Sequence, residues 1–291
     1  MNVIRYPAPR AFLDAVEPFL LRDEATHNLL LGVPSRMIVQ ASAGAAAPDV
    51  YLAAAVAHGE PAAAAMVTPP YRLVLSQASH PAAISALARD VATLRPSPPG
   101  VQGPDPVAAR FAVAWEQLTG QQSRLALRER IHRLDAVRPL PAAPGRLRSA
   151  ASDDRPVLLE WLRAFGAEAF GNDTRPPGEA ERVLETRLAT PGEGFVLWED
   201  GGPRCVAGYG GPTRHGVKVG PVYTPPEHRG RGYGTSCVAA LSQRLLDGGR
   251  RFCMLFTDLA NEASNRIYGR IGYEPVCDVV EYRFVKDAQT A

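Results

Sequence analysis

The sequence predicts an α/β fold, α+β in its segregated parts, with a mixed central sheet flanked by helices. Three observations predict it. Val217, Val219, Val222 and Tyr223 form a strand that Pro225 and Pro226 stop, because proline has no N–H to give a ladder. That strand feeds a glycine-rich turn and, at once, a helix with Cys237, Val238, Leu241 and Leu245 on one face. The strand and helix order of the second half restarts that of the first, so two tandem copies are expected.

The turn reads Arg229-Gly230-Arg231-Gly232-Tyr233-Gly234-Thr235. Alternating glycines let the backbone bend tightly and present bare N–H groups. At a helix start, those groups and the helix dipole favour an anion. Arg229 and Arg231 add positive charge there, so the expected ligand is a phosphate or pyrophosphate. A P-loop needs Lys before the Ser or Thr, and here Thr235 follows Gly234 directly. The dinucleotide fingerprint needs its third glycine three places after the second, and Gly234 comes only two after Gly232. Asp247-Gly248-Gly249 stops the helix. A second short apolar strand, Phe252 to Phe256, ends at Thr257-Asp258. A helix opening at Asn261-Glu262-Ala263-Ser264-Asn265 then carries Ile267 and Tyr268 and ends at Gly272-Tyr273.

The run Arg229-x-x-Gly232-x-Gly234 resembles the acetyl-CoA signature of the GCN5-related N-acetyltransferase (GNAT) superfamily. The Asn261, Tyr268 and Gly272-Tyr273 series resembles the next motif of that family. The resemblance implies the acyl-CoA N-acyltransferase fold and acetyl-CoA as co-substrate. It implies that Arg229, Gly230, Arg231, Gly232, Tyr233, Gly234 and Thr235 cradle the pyrophosphate, mainly through backbone amides. It gives the backbone N–H groups of Val222 and Tyr223 the task of polarising the thioester carbonyl. Gly220-Pro221 marks the place where the strand is expected to bend and free them. Tyr268 stands where the family keeps the acid that protonates the leaving thiolate. Asn261 and Ser264 are expected to contact the pantetheine, or in the case of Asn261 the neighbouring backbone. The family often keeps a Glu on the central strand as base. Lys218 stands on that strand here, so the base is undetermined. Glu227, His228, His215 and Asp258 are nearby, the first two expected to face solvent and all four to be structural.

Composition fits this reading. The 291 residues suggest about two domains, and the net charge of +2 leaves no footprint for nucleic acid or a membrane surface. Arginine carries nearly all the positive charge. Cys205, Cys237, Cys253 and Cys277 show no metal spacing and read as reduced thiols, so no metal is expected. The N-terminus lacks a signal-peptide pattern, and no apolar run approaches the roughly 20 residues of a membrane span. A cytoplasmic monomer or homodimer is expected.

The first half begins with a strand at Val3 to Tyr6 and a helix carrying Phe12, Val16, Phe19 and Leu20. Asn28 to Gly32 reads as the end of a second helix. Strands follow at 50–56, 63–67 and 72–75, a helix after His80-Pro81, a strand near Gly100, a helix over 106–118 and an extended run over 122–134. Where the glycine loop should stand, the chain reads Ser76-Gln77-Ala78-Ser79-His80-Pro81. Residues 1–138 are therefore expected to be a degenerate copy or a lid and packing domain, with an unrelated helix-and-sheet domain as the alternative, 139–145 a proline-stiffened linker and 146–291 the acetyl-CoA-binding copy. The polar loop from Phe170 to Gly178 is where the family shapes its acceptor site. The expected acceptor is a primary amine of a small molecule or peptide. A non-catalytic acyl-CoA-binding regulator is the alternative, supported by the missing Glu. A nucleotide-binding protein of another fold is disfavoured by the failed spacings.

Overall fold

The computed structural model describes residues 1–46, 49–170 and 176–285. Its elements, in chain order, are β1 (Asn2–Arg5), α1 (Pro9–Leu20), α2 (Asn28–Ser42), β2 (Tyr51–Ala57), β3 (Glu60–Val67), β4 (Leu73–Leu75), α3 (Pro81–Val91), β5 (Gly100–Pro104), α4 (Asp105–Thr119) and β6 (Gln122–Leu134). The same order then recurs: β7 (Arg146–Ser149), α5 (Arg155–Phe170), α6 (Glu179–Ala189), β8 (Gly194–Glu199), β9 (Pro203–Gly210), β10 (Gly216–Tyr223), α7 (Tyr233–Asp247), β11 (Phe252–Asp258), α8 (Glu262–Ile271) and β12 (Glu274–Val285). In each copy two helices follow the first strand. One helix joins the fourth strand to the fifth, and another precedes the last.

Packing divides the chain into two compact units. The first holds Met1–Ile131, Asp258–Ala260 and the described residues from Val276 on. The second holds His132–Thr257 and Asn261–Pro275. Residues 139–145, where the sequence suggests a linker, lie within the second unit. β12, late in the sequence, pairs antiparallel with β5 of the first unit, Val279 opposite Pro104 through Arg283 opposite Gly100. Two ion pairs hold it: Arg72 to a buried Glu281 at 3.0 Å, and Arg130 to Asp278 in fork geometry. The proline linker lies along the second unit instead of standing free. Ser236 accepts the Ala143 N–H at 2.8 Å, and the Trp198 indole donates to the Pro144 carbonyl at 2.8 Å.

In the first unit the strand order is β1-β2-β3-β4-β5-β12, and β4 with β5 is the parallel pair. One face is packed by α1 and α2 around Phe12, Leu20, Leu31 and Met66. The other is packed by α3 and α4 around Leu87, Phe111 and Trp115. Asn28 to Gly32 proves to be the start of α2, not the end of a helix. Gly32 and Pro34 lie buried inside it, with Leu30 and Leu31 anchored in the core, so tertiary packing overrides two residues that read as breakers.

The place of the glycine loop in this unit is filled. Buried His27 gives its Nδ1 proton to the Leu20 carbonyl at 2.8 Å, and its Nε2 accepts the Gln77 N–H at 3.1 Å. The Ser76 and Ser79 N–H groups bond the Ala64 and Ala62 carbonyls. The Ser76, Gln77 and Ser79 amides are thus already engaged.

Burial lowers the pKa of His27, against weaker raising effects from the Leu20 carbonyl and Asp23. The folded form therefore favours the neutral ring, and protonation favours unfolding. Stability should be full above the ordinary histidine pKa, near 6.5, and fall as pH drops below it. Melting curves from pH 7.5 to 5 should show this fall for the native chain and a flatter one for His27→Gln. His27→Ala should lose about 2–3 kcal/mol at pH 7.5, because two buried polar groups lose their partner.

Candidate active site

The second unit has strand order β7-β8-β9-β10-β11, antiparallel except for β10 with β11. The parallel register pairs Gly216 with Phe252, Val217 with Cys253 and Lys218 with Met254; no further pair is found among the described residues. On its other side β10 follows β9, with a register shift between Val219 and Val222. Gly220 sits in the shift at φ 127°, a backbone state that side-chain-bearing residues rarely adopt. The bend falls at Gly220-Pro221, and beyond it β10 carries Val222 and Tyr223 past the end of the pairing with β11.

After Tyr223 the chain makes a short 3₁₀ turn, Pro226–His228, and enters the glycine loop. Gly230 and Gly232 adopt φ of 76° and 81°, and Gly232 caps α7 in the left-handed conformation. Open space lies where a Cβ on Gly230 would stand. Among the described residues, no hydrogen bond is donated by the backbone N–H groups from Gly230 through Thr235; the helix ladder begins with Ser236 N–H to the Gly232 carbonyl. This is the reverse of the first unit. A row of unengaged amides at the start of a helix of four turns suits a diphosphate. The residues present therefore fit the pyrophosphate of acetyl-CoA.

The side chains of the loop have separate tasks. Arg231 is exposed and Thr235 half-buried. Tyr233 is buried, and its hydroxyl donates to Asp200 Oδ2 at 2.6 Å, which fixes the first turn of α7 to the β8–β9 turn. Glu227 is exposed, as expected, but His228 turns inward. Its ring meets Tyr233 edge-on, with Nε2 3.2 Å from Arg204, because the 3₁₀ turn rotates it off the surface. Arg229 is exposed but tied to its neighbours. It donates to the Thr224 carbonyl at 2.9 Å and to Glu168 Oε2 at 2.7 Å, with its guanidinium over the Tyr223 ring.

The two faces of β10 differ. Val219 and Val222 face the cluster built with α7 and α8, and Tyr268 packs in that same cluster, edge-on to Tyr273. Burial pushes the Tyr268 phenol well above its usual range, so it holds its proton at neutral pH. Its hydroxyl makes no hydrogen bond among the described residues. Tyr223 faces the opposite cluster, with Leu158, Trp161, Leu162 and Phe195 beneath α5 and α6. Asn261 caps α8, its Oδ1 accepting the Ser264 N–H at 3.0 Å. Of its two expected contacts, the structure shows the backbone one, and the Ser264 N–H is engaged by it. Lys218 lies over the Phe256 ring, 5.7 Å from its centre.

Sequence reading passed over three charged residues on the α5–α6 face. Glu168 bonds both Tyr223 and Arg229. Arg187 is buried over Phe195, in the room left by Gly208, and buried Glu193 accepts the Gly211 N–H at 3.0 Å. The only signal was their place on helices or strand ends with apolar neighbours, and charges there usually read as a solvated face. The acceptor loop expected over Phe170 to Gly178 falls largely on 171–175, outside the described residues, as does Lys286. Among the described residues no cluster of His, Cys, Asp or Glu is placed to hold a metal, and no helix is long and apolar enough to cross a membrane.

Residues 213–284, from just before β10 into β12, match the family model of FR47-like protein. Solved structures match across nearly the whole chain. A GCN5-related N-acetyltransferase from Sphaerobacter thermophilus aligns with TM-score 0.60 at 18% identity, over 97% of this chain and 95% of its own. The chain therefore shares the fold of the GCN5-related N-acetyltransferases, and residues 213–284 resemble the FR47-like family. A tandem GNAT protein from the clavulanic acid biosynthesis pathway aligns with TM-score 0.54 at 15% identity, over 97% of each chain. A Drosophila protein aligns with TM-score 0.69 at 12% identity, over 98% and 99%. No curated protein matches the sequence. At such identities the structural likenesses carry the acetyltransferase fold and its tandem form, and the roles of single residues rest on geometry.

Gly232 tests the cradle. Gly232→Val forces a β-branched residue into the left-handed region and should cost about 1–3 kcal/mol, read as a lower Tm. It should also abolish the rise in Tm on adding CoA. Gly232→Asn, which tolerates that conformation, should keep the fold.

Proposed function

We propose that the protein is an N-acetyltransferase that moves acetyl from acetyl-CoA to a primary amine of a small molecule or peptide. The observation that carries this reading is the unengaged row of amides from Gly230 to Thr235, set just beyond the point where β10 leaves β11. Acetyl-CoA, when bound, supplies an acetyl group activated as a thioester. The loop amides hold the diphosphate, with Arg231 adding charge at the rim. The Val222 and Tyr223 N–H groups stabilise negative charge developing on the carbonyl oxygen, at a site that costs little reorganisation. Tyr268 keeps a proton for the departing sulfur. Asn261 and Ser264 border the pantetheine path and set the start of α8, which aims Tyr268.

In this reading residues 1–138 are the degenerate copy, 139–145 the linker and 146–291 the catalytic copy. The His27 plug explains why the first copy would not hold a nucleotide. Free thiols at all four cysteines suit a reducing, cytoplasmic setting.

Thiol release from acetyl-CoA over a panel of amines tests the activity: a polyamine, an aralkylamine, an aminoglycoside, lysine and a peptide with a free N-terminus. Turnover with at least one is expected; binding of acetyl-CoA without turnover would favour the regulatory alternative. Tyr268→Phe should lower kcat about 10²–10⁴-fold with the acetyl-CoA Kd unchanged. An unchanged rate would remove the acid role from Tyr268.

A further inference from the structure

The active amine must lose a proton, and the central strand offers Lys218 where a carboxylate would serve. The structure places a carboxylate elsewhere. The Tyr223 hydroxyl donates to Glu168 Oε1 at 3.0 Å. Glu168 Oε2 accepts from Arg229 at 2.7 Å. Arg229 is held in turn by the Thr224 carbonyl and lies over the Tyr223 ring. One acid, one phenol and one guanidinium from α5, β10 and the glycine loop thus form a closed set. Tyr223 is buried, whereas the Glu168 side chain is 48% exposed, so the set runs from beneath the α5–α6 face out to water.

We propose that Tyr223 and Glu168 form the proton relay that deprotonates the acceptor amine. This rests on the acetyltransferase reading above. The backbone of Tyr223 belongs to the segment given the thioester, and its side chain leaves that segment on the face opposite Tyr268. The two proton tasks are therefore separated by β10 itself. The acceptor nitrogen forms a bond to the acetyl carbon, and the carbon–sulfur bond breaks. The acceptor ammonium first gives one proton to the Tyr223 oxygen as the Tyr223 hydroxyl proton passes to Glu168 Oε1, and the second nitrogen proton, shed once the carbon–nitrogen bond has formed, passes to water. Glu168, now a neutral acid, returns that proton to water. Tyr268 gives its proton to the sulfur and regains one from solvent. Charge and protons balance without a free tyrosinate. A tyrosinate is disfavoured here, because burial and the Glu168 carboxylate raise the Tyr223 phenol, with Glu227 raising and Arg229 lowering it more weakly. Tyr223 touches the acceptor and is catalytic. Glu168 acts through it, and Arg229 positions Glu168.

The test compares the native chain with Glu168→Gln, Tyr223→Phe and Glu168→Asp, using the best amine of the panel. Glu168→Gln and Tyr223→Phe should each lower kcat/KM for the amine about 10²–10³-fold near pH 7. The deficit should shrink as pH rises toward the amine's own pKa, near 10.4 for a lysine-like amine, where the base is no longer needed. Glu168→Asp should restore part of the rate. The stabilisation by CoA, read as a Tm shift, should be unchanged in Glu168→Gln, and the Tm shift by the amine alone should be reduced. A deficit equal at every pH, or a native pH–rate profile in Glu168→Gln, would overturn the relay while leaving the acetyltransferase reading intact. Absence of turnover by the native chain with every amine would overturn both. Should Tyr223→Phe fail to fold, the half-exposed Glu168→Gln decides alone.

Discussion

The parting of β10 from β11 is the constraint on which the rest of the second unit depends. Two parallel strands that stayed paired would bury every backbone group between them. Here the pairing stops after Lys218 and Met254, and the register shift against β9 absorbs the bend around Gly220. The glycine favours that shape, because its φ of 127° is one that side-chain-bearing residues rarely adopt. The bend sends Val222 to one face and Tyr223 to the other, and delivers the chain into the glycine loop.

The two units keep one topology and differ in a few groups. Where the fourth strand leads into the next helix, the second unit has no hydrogen bond donated by the amides from Gly230 through Thr235 among the described residues. The first engages its Ser76, Gln77 and Ser79 amides with His27 Nε2 and strand carbonyls. A single buried imidazole, bonded at both nitrogens, thus does for the first unit what a bound anion would do for the second. Closing a helix start in this way satisfies the backbone without a ligand.

Much of this was legible in the sequence. The left-handed loop at Gly230 and Gly232, the bend at Gly220-Pro221 and the lost glycines between Leu75 and Pro81 each follow from residue types whose backbone needs are local. What the sequence hid was set by long-range contact. The start of α2 was misplaced because burial of Leu30 and Leu31 outweighs Gly32 and Pro34. The pairing of β12 with β5 joins residues about 180 apart, beyond any periodicity argument. The Glu168–Tyr223–Arg229 set escaped notice because Arg229 was assigned wholly to phosphate and Glu168 looked like an ordinary charge on a helix.

The central claim is that the amides from Gly230 to Thr235 grip a diphosphate and set a thioester beside Val222 and Tyr223. Backbone amide chemical shifts, followed as CoA is added to the full chain, test it most directly. The account predicts large, saturable shifts at Gly230, Gly232, Gly234, Val222 and Tyr223, with Gln77 and Ser79 of the first unit unmoved. Shifts absent from the loop, or appearing at Gln77 and Ser79 instead, would contradict it.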